Sequence, residues 1–338
     1  MARNLSENDI RQALAGVVDA ARLGDVAVSP DGGVLVIIEA DTKDGVAMED
    51  MRLAAEHAVA SLKGVTKATV VLTAEKKDAF DPHGMGKNPR LDLPVNKILA
   101  VASGKGGVGK STVAFNLAVA LARSGASVGL LDADIYGPSV PLLSGLKDQK
   151  PVQKDGRIMP LTAHGLKIMS IGFMVAPEKA LIWRGPMVQS ALYQMLRDVQ
   201  WADEGERLDY LIIDMPPGTG DAQLTLAQKV TTTGAIIVST PQDLALADAR
   251  KAIQMFEQTG VPVLGLIENM STHICSNCGH EEHIFGHGGA AAEAEKHGVP
   301  FLGSIPLSLA IRQSADMGAP VTDDIFSDIV GAIVTANA

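Results

Sequence analysis

The 338-residue chain contains only two cysteines, Cys275 and Cys278, so a disulfide scaffold is excluded by count. Little at its start resembles an apolar leader: Met1 to Ile10 is polar and mixed in charge, so export is not expected and a cytoplasmic location is. No uninterrupted apolar stretch approaches the length of a membrane span. Basic surplus is missing as well. The formal charge of −10 divides as −4 for residues 1–94 and −6 for the remainder, so neither part carries a broad field for polyanions, and no nucleic-acid partner is expected. Residues 322–338 contain no Lys or Arg, which disfavours a basic amphipathic membrane helix at that end. With 46% hydrophobic residues, the chain has ample material for a core and is long enough for two domains.

The most informative stretch is Gly104-Lys105-Gly106-Gly107-Val108-Gly109-Lys110-Ser111, followed by Thr112. Its spacing is that of a phosphate-binding loop: backbone N–H groups wrap a polyphosphate, Lys110 reaches the β- and γ-phosphates, and the Ser111 hydroxyl is offered to Mg²⁺. The context is right, because the apolar run ending at Ala102 reads as a buried strand and Thr112 to Arg123 as the following helix. Lys105 is an extra lysine that such a loop does not need. Its flexible point charge suits the nucleotide of a facing subunit.

Residues 1–74 read as a small α/β unit, with helices over Ser6–Leu23 and Met48–Leu62 and strands over Val34–Ile38 and Ala68–Leu72. Residues 75–94 are rich in Pro, Gly and charge, as expected of a linker. From residue 95 to 338, apolar runs alternate with helical patterns, the signature of a mostly parallel sheet flanked by helices. Expected strands are Ile98–Ala102, Val128–Leu131, Leu166–Ser170, Tyr210–Ile213, Ala235–Ser239 and Val263–Ile267. Their carboxyl ends should gather at one edge, where open α/β sheets bind ligands.

Several of these runs end in carboxylates. Asp214, followed by the supple Gly218-Thr219-Gly220, is expected to hold a magnesium-bound water. Asp132 and Asp134 are two positions apart, and Asp134 is assigned to the attacking water with Asp132 in support near the metal. The Cys-Ser-Asn-Cys pair brings two thiolates, half of a four-sulfur site, and a second copy of the chain supplies the same number. A single-chain zinc site from Cys275, Cys278, His280 and His283 is the rival reading. A thioredoxin-like exchange fits less well, because the pair comes late in a P-loop domain.

Taken together, Lys105 within the phosphate loop, Asp132-Ala133-Asp134-Ile135-Tyr136-Gly137-Pro138-Ser139, Trp183-Arg184-Gly185-Pro186, the segment from Asp214 to Asp221, and Glu268-Asn269-Met270 with the cysteine pair resemble the Mrp/ApbC family. These are iron–sulfur carrier ATPases of the deviant Walker A class, and the likeness covers about residues 95–338. The resemblance implies a P-loop NTPase fold, ATP and Mg²⁺ as ligands, and a homodimer in which Lys105 crosses to the partner's phosphates and Asp134 orients the hydrolytic water. It further implies adenine contacts at Asn269 and Pro306. Cys275 and Cys278 would bridge a [4Fe–4S] cluster between two subunits, received from donor proteins and passed to apo-proteins. Residues 1–74 resemble a small domain associated with iron–sulfur assembly, although this copy has no cysteine. The alternative from a different class is a regulatory or positioning ATPase with a structural zinc at the cysteine pair.

Overall fold

The computed structural model describes residues 7–19, 22–28, 33–40, 45–74, 90–174 and 185–336. The chain divides into two compact units, Met1–Gly86 and Lys87–Ala338.

In the first unit, Leu23–Val28 runs antiparallel to Gly33–Ala40, which pairs in parallel with Lys67–Ala74 across the helix Gly45–Ala60. Alternation sets the buried face: Val34, Val36 and Ile38 point inward and meet Ile10, Leu14 and Val18. The helix expected to run from Ser6 to Leu23 covers only Glu7–Leu14, and Leu23 instead opens a strand. Gly16 lies in the turn that ends it, where continuing the helix through glycine would cost about 1 kcal/mol relative to alanine. Val17 and Val18 donate their N–H groups back to Leu14 O, and the turn tucks Val18 into the core.

The second unit is built on an eight-stranded sheet. From one edge to the other it reads Phe301–Ile305, Val263–Asn269, Gly234–Ser239, Val95–Ala102, Leu208–Asp214, Val128–Asp132, Leu166–Ser170 and Leu161–Ala163. All pairings are parallel except the last, where Leu161–Ala163 turns back against its neighbour. Strands buried on both faces need apolar residues at every position, and the central strand divides its side chains accordingly. Leu99 and Val101 pack with the helices Lys110–Arg123 and Ile325–Ala336, while Ile98, Ala100 and Ala102 pack with Gly185–Arg197 and Asp243–Thr259 on the other side.

All six expected strands of this unit are present. Val128–Asp132, Leu208–Asp214 and Val263–Asn269 extend to include the polar residues that follow the apolar runs. Phe301–Ile305 was not expected, because Gly303 and Ser304 interrupt its apolar pattern and its place at the edge requires burial of only part of it. The end of the expected linker belongs to this unit: Leu91 N–H donates to Lys229 O at 2.8 Å, and Leu93 is buried. Residues 75–89 lie outside the described residues.

Candidate nucleotide site and cysteine hairpin

The phosphate loop leaves the carboxyl end of Val95–Ala102 and turns directly into the helix Lys110–Arg123. Gly107 and Gly109 both take φ of +83°, a left-handed conformation that suits glycine and lets the loop curl before the helix begins. Gly104 is required for a different reason. A Cβ there would lie 2.1 Å from the backbone of Asp248 in a neighbouring helix. Ser103 Oγ closes the start of the loop by donating to Lys105 O at 2.8 Å. Val108 is buried and fastens the loop to the core.

A cavity of about 240 Å³ lies over this loop, walled by Lys105, Gly106, Gly107, Gly109, Lys110, Ser111 and Thr112 and, from other segments, by Asp134, Ser139 and Pro217. The first turn of a 14-residue helix opens into it, so unpaired backbone N–H groups and the positive end of the helix dipole favour an anion there. Gly104 and Val108 shape the loop from behind, outside the cavity wall.

Asp214 ends the adjacent strand and is fully buried. Its Oδ1 is paired with Lys110 Nζ, and its Oδ2 is buried without a hydrogen-bond partner. Burial pushes this carboxyl above its ordinary range, with the Lys110 charge pulling the other way. An orphaned carboxylate oxygen beside the Ser111 hydroxyl, itself 3.3 Å from Lys110 Nζ, is a hard-oxygen donor set that suits Mg²⁺ or its water shell.

Asp132 is differently placed from what its sequence position suggests. Its Oδ2 accepts from Ser170 Oγ at 3.0 Å and Val140 N–H at 3.1 Å, and its Oδ1 from Asp134 N–H at 3.1 Å. Both oxygens are therefore engaged in holding the segment that carries Asp134, rather than being turned to a metal. Burial first and the neighbouring Asp214 second push its carboxyl up to about 7, against the pull of these donors. Asp134 is half-buried, faces the cavity and accepts weakly from Gly137 N–H at 3.3 Å.

Asn269 and Pro306, expected together at an adenine base, stand at the ends of neighbouring strands, Asn269 pairing in register with Ile305, but their side chains meet different surroundings. Asn269 is buried, and its Nδ2 donates to Val108 O at 2.8 Å while its Oδ1 accepts from Met270 N–H at 3.0 Å. It braces the phosphate loop from behind. Pro306 lines a different cavity, of about 460 Å³, with Glu268, Ile274, His287 and Ser304. Sequence reasoning missed Gln223, which is buried and donates from Nε2 to Pro216 O and Pro217 O, at 2.9 and 2.7 Å. It fixes the turn after Asp214, and the only sequence signal for it was its place two residues after Asp221. Trp183 and Arg184 lie outside the described residues.

The cysteines sit at the tip of a short hairpin, His273–Ile274 paired with Glu281–Glu282. Cys275 N–H donates to His280 O and Gly279 N–H to Cys275 O, with Gly279 at φ +73° turning the chain. Cys275 is half-buried and Cys278 exposed. Backbone N–H groups of Asn277 and then Cys278 aim at the Cys275 sulfur and lower its thiol below the ordinary value. Among the described residues, no group of three or more His, Cys, Asp or Glu is gathered to hold a metal, so the single-chain Cys₂His₂ site is not assembled. His283 is within 3.3 Å of Ser271 O, and its ring lies 4.5 Å from that of His287.

A phosphate loop opening a helix in the middle of a mostly parallel sheet, with carboxylates ending the neighbouring strands, defines a P-loop NTPase. The chain belongs to the ParA family described as NUBPL iron-transfer P-loop NTPase, which matches residues 94–335. It is 58% identical over 227 residues to the iron-sulfur cluster carrier protein of Escherichia coli strain K12, a match covering 67% of this chain and 60% of that protein. With the protein of the same description from Pseudomonas fragi it shares 52% identity over 268 residues, covering 78% and 90%. Among solved structures, a nucleotide-binding protein from Archaeoglobus fulgidus in complex with ADP is 41% identical, with a TM-score of 0.61 over 69% of this chain and 91% of that one. The cell division ATPase MinD of Pyrococcus furiosus, 20% identical with a TM-score of 0.51, shares the fold. Among the described residues, no helix is long and apolar enough to cross a membrane.

Proposed function

We propose that this protein is an ATP-hydrolysing iron–sulfur carrier, which holds a [4Fe–4S] cluster between two copies of itself and passes it to apo-proteins. The observation that carries the reading is the hairpin: two accessible thiols, one of them lowered by backbone N–H groups, presented with no third ligand gathered beside them among the described residues. Four thiolates complete a cubane, and two chains supply four. The relatives described as iron-sulfur cluster carriers support this cargo.

In the ATP site, the backbone of Gly106 to Gly109 and the start of the helix would receive the phosphates, with Lys110 moving between Asp214 and the β/γ oxygens. Bound Mg²⁺ would neutralise phosphate charge, held near Ser111 and Asp214. Asp134 would orient the attacking water, with Asp132 keeping its segment in place. Lys105 would reach the nucleotide of the second copy. Free thiols of this kind persist in a reducing compartment such as the cytoplasm.

The test is anaerobic reconstitution with iron and sulfide. The expected product is a brown dimer with about four irons per two chains, lost on Cys275→Ser or Cys278→Ser. A colourless protein carrying one zinc per monomer would overturn the reading in favour of a regulatory ATPase.

A further inference from the structure

The strand Val263–Asn269 ends in two polar residues that are both buried, at 1% exposure for Glu268 and 8% for Asn269. Neighbours on an extended chain point to opposite sides, and these two side chains grip different things. Asn269 holds Val108 O in the phosphate loop, and it does so at close quarters, since a Cβ on Gly109 would lie 2.2 Å from its Nδ2. Glu268 holds the far end of the cysteine segment: its Oε1 accepts from Gly288 N–H and its Oε2 from Ala290 N–H, each at 2.8 Å. Both carboxylate oxygens are thus spent on the point where the hairpin returns to the fold.

The near end of the same segment begins one residue later. Met270 has φ +57°, a left-handed conformation unusual for a non-glycine residue, and its side chain reaches towards the loop, with Cε 3.8 Å from the Gly109 Cβ position. Ser271 is then clamped by its N–H and its Oγ to Ile305 O, and Thr272 O accepts from Leu307 N–H at 2.7 Å. The exit of the cysteine hairpin is therefore held by the end of Val263–Asn269, its entrance continues from that end and is clamped against the end of the neighbouring strand Phe301–Ile305, and the Val263–Asn269 end is fixed to the phosphate loop.

We propose that Glu268-Asn269-Met270 is the coupling element through which the nucleotide site controls the geometry of the cysteine pair, with Glu268 as its positioning residue. The inference rests on the carrier function proposed above. A movement of the Val108 carbonyl as the loop closes on phosphate is carried by the Asn269 amide to the strand end. The rigid peptide unit passes it to Glu268, whose two hydrogen bonds shift Gly288 and Ala290 and so the exit of the hairpin. Met270 is the hinge, because its left-handed backbone is held only by its surroundings.

The experiment uses the full-length reduced protein without cluster, a non-hydrolysable ATP analogue with Mg²⁺, and iodoacetamide, with alkylation of Cys275 and Cys278 followed by mass spectrometry. In the wild type, the analogue should change the alkylation rate by about fivefold or more, the lower end of coupling between linked sites. Glu268→Gln should bind the analogue within about twofold of wild type yet lose that response, because an amide has an acceptor at only one of its two ends and would set its NH2 against the other N–H. Met270→Gly, which suits the left-handed backbone and should fold regardless, is expected to weaken the response. A full response in Glu268→Gln or an undiminished one in Met270→Gly would overturn the proposal, as would a wild type whose thiols ignore the analogue. Iron uptake is scored separately in the same preparations. Uptake with an intact response in Glu268→Gln sinks the coupling alone, whereas a wild type that responds but takes up no iron supports the coupling and sinks the carrier reading.

Discussion

Asp132 and Asp214 stand opposite each other as the last residues of neighbouring parallel strands, both wholly buried, yet Asp214 is paired with Lys110 and Asp132 with uncharged donors. One sheet register thus produces two carboxyls of different character. Asp214 keeps an oxygen with no partner at the cavity side, and Asp132 spends both of its oxygens on the chain around it.

This difference sets a pH dependence. The Asp132 carboxyl is raised from its ordinary value of 3.8 to about 7, so the folded protein retains a proton that the unfolded chain releases. Stability without nucleotide should therefore fall as pH rises between those two values and level off above them. Urea denaturation from about pH 5 to pH 8 should show this slope in the wild type and a flatter one in Asp132→Asn. A wild-type stability that climbs over this interval would rule the assignment out.

Lys110 and Asp214 form a buried pair, and removing one member strands the other. Asp214→Asn is expected to cost about 3 kcal/mol of stability, and adding Lys110→Met should recover most of that loss while leaving triphosphate binding abolished. A double-mutant cycle in urea, run beside nucleotide titration, measures both. Additive losses would mean that the pair is not coupled.

Three of the four loop glycines should behave differently on substitution by alanine. Gly104→Ala meets the Asp248 backbone at 2.1 Å, and Gly109→Ala meets Asn269 from a left-handed backbone, so each should lose about 1–3 kcal/mol. Gly106→Ala has nothing within 4 Å and should stay within about 0.5 kcal/mol of wild type. Thermal or urea melts of the three variants decide the matter.

Asp134 faces the cavity, and its carboxylate accepts a weak hydrogen bond from Gly137 N–H at 3.3 Å. Asp134→Ala should still bind ATP while turnover drops by about 100-fold. Steady-state phosphate release beside equilibrium binding separates the two effects. Lys105→Ala should also slow release, and normal turnover in that variant would leave Lys105 a solvated side chain.

Much of the second unit was legible because its signals are local. An eight-residue spacing announces a phosphate loop, and continuous apolar runs announce buried parallel strands. What was illegible depended on partners distant in sequence. Nothing around Asn269 indicates that its amide meets Val108, 161 positions away, and nothing around Asp132 indicates Ser170 as its donor. The edge strand Phe301–Ile305 was hidden because edge positions tolerate small and polar residues. His280 and His283 looked like zinc ligands by spacing, but the hairpin pairing does not bring them together with the two sulfurs.

The amino-acid order by itself determined the phosphate loop, the alternation of strand and helix, and the supply of two sulfurs per chain, since each follows from spacing within a short segment. Tertiary structure decided which polar atoms are spent and which are free. Sheet register brings strand ends together from across the chain, and only that packing leaves Asp214 an unpartnered oxygen, turns Asp132 into a brace, and ties Glu268 to the cysteine hairpin.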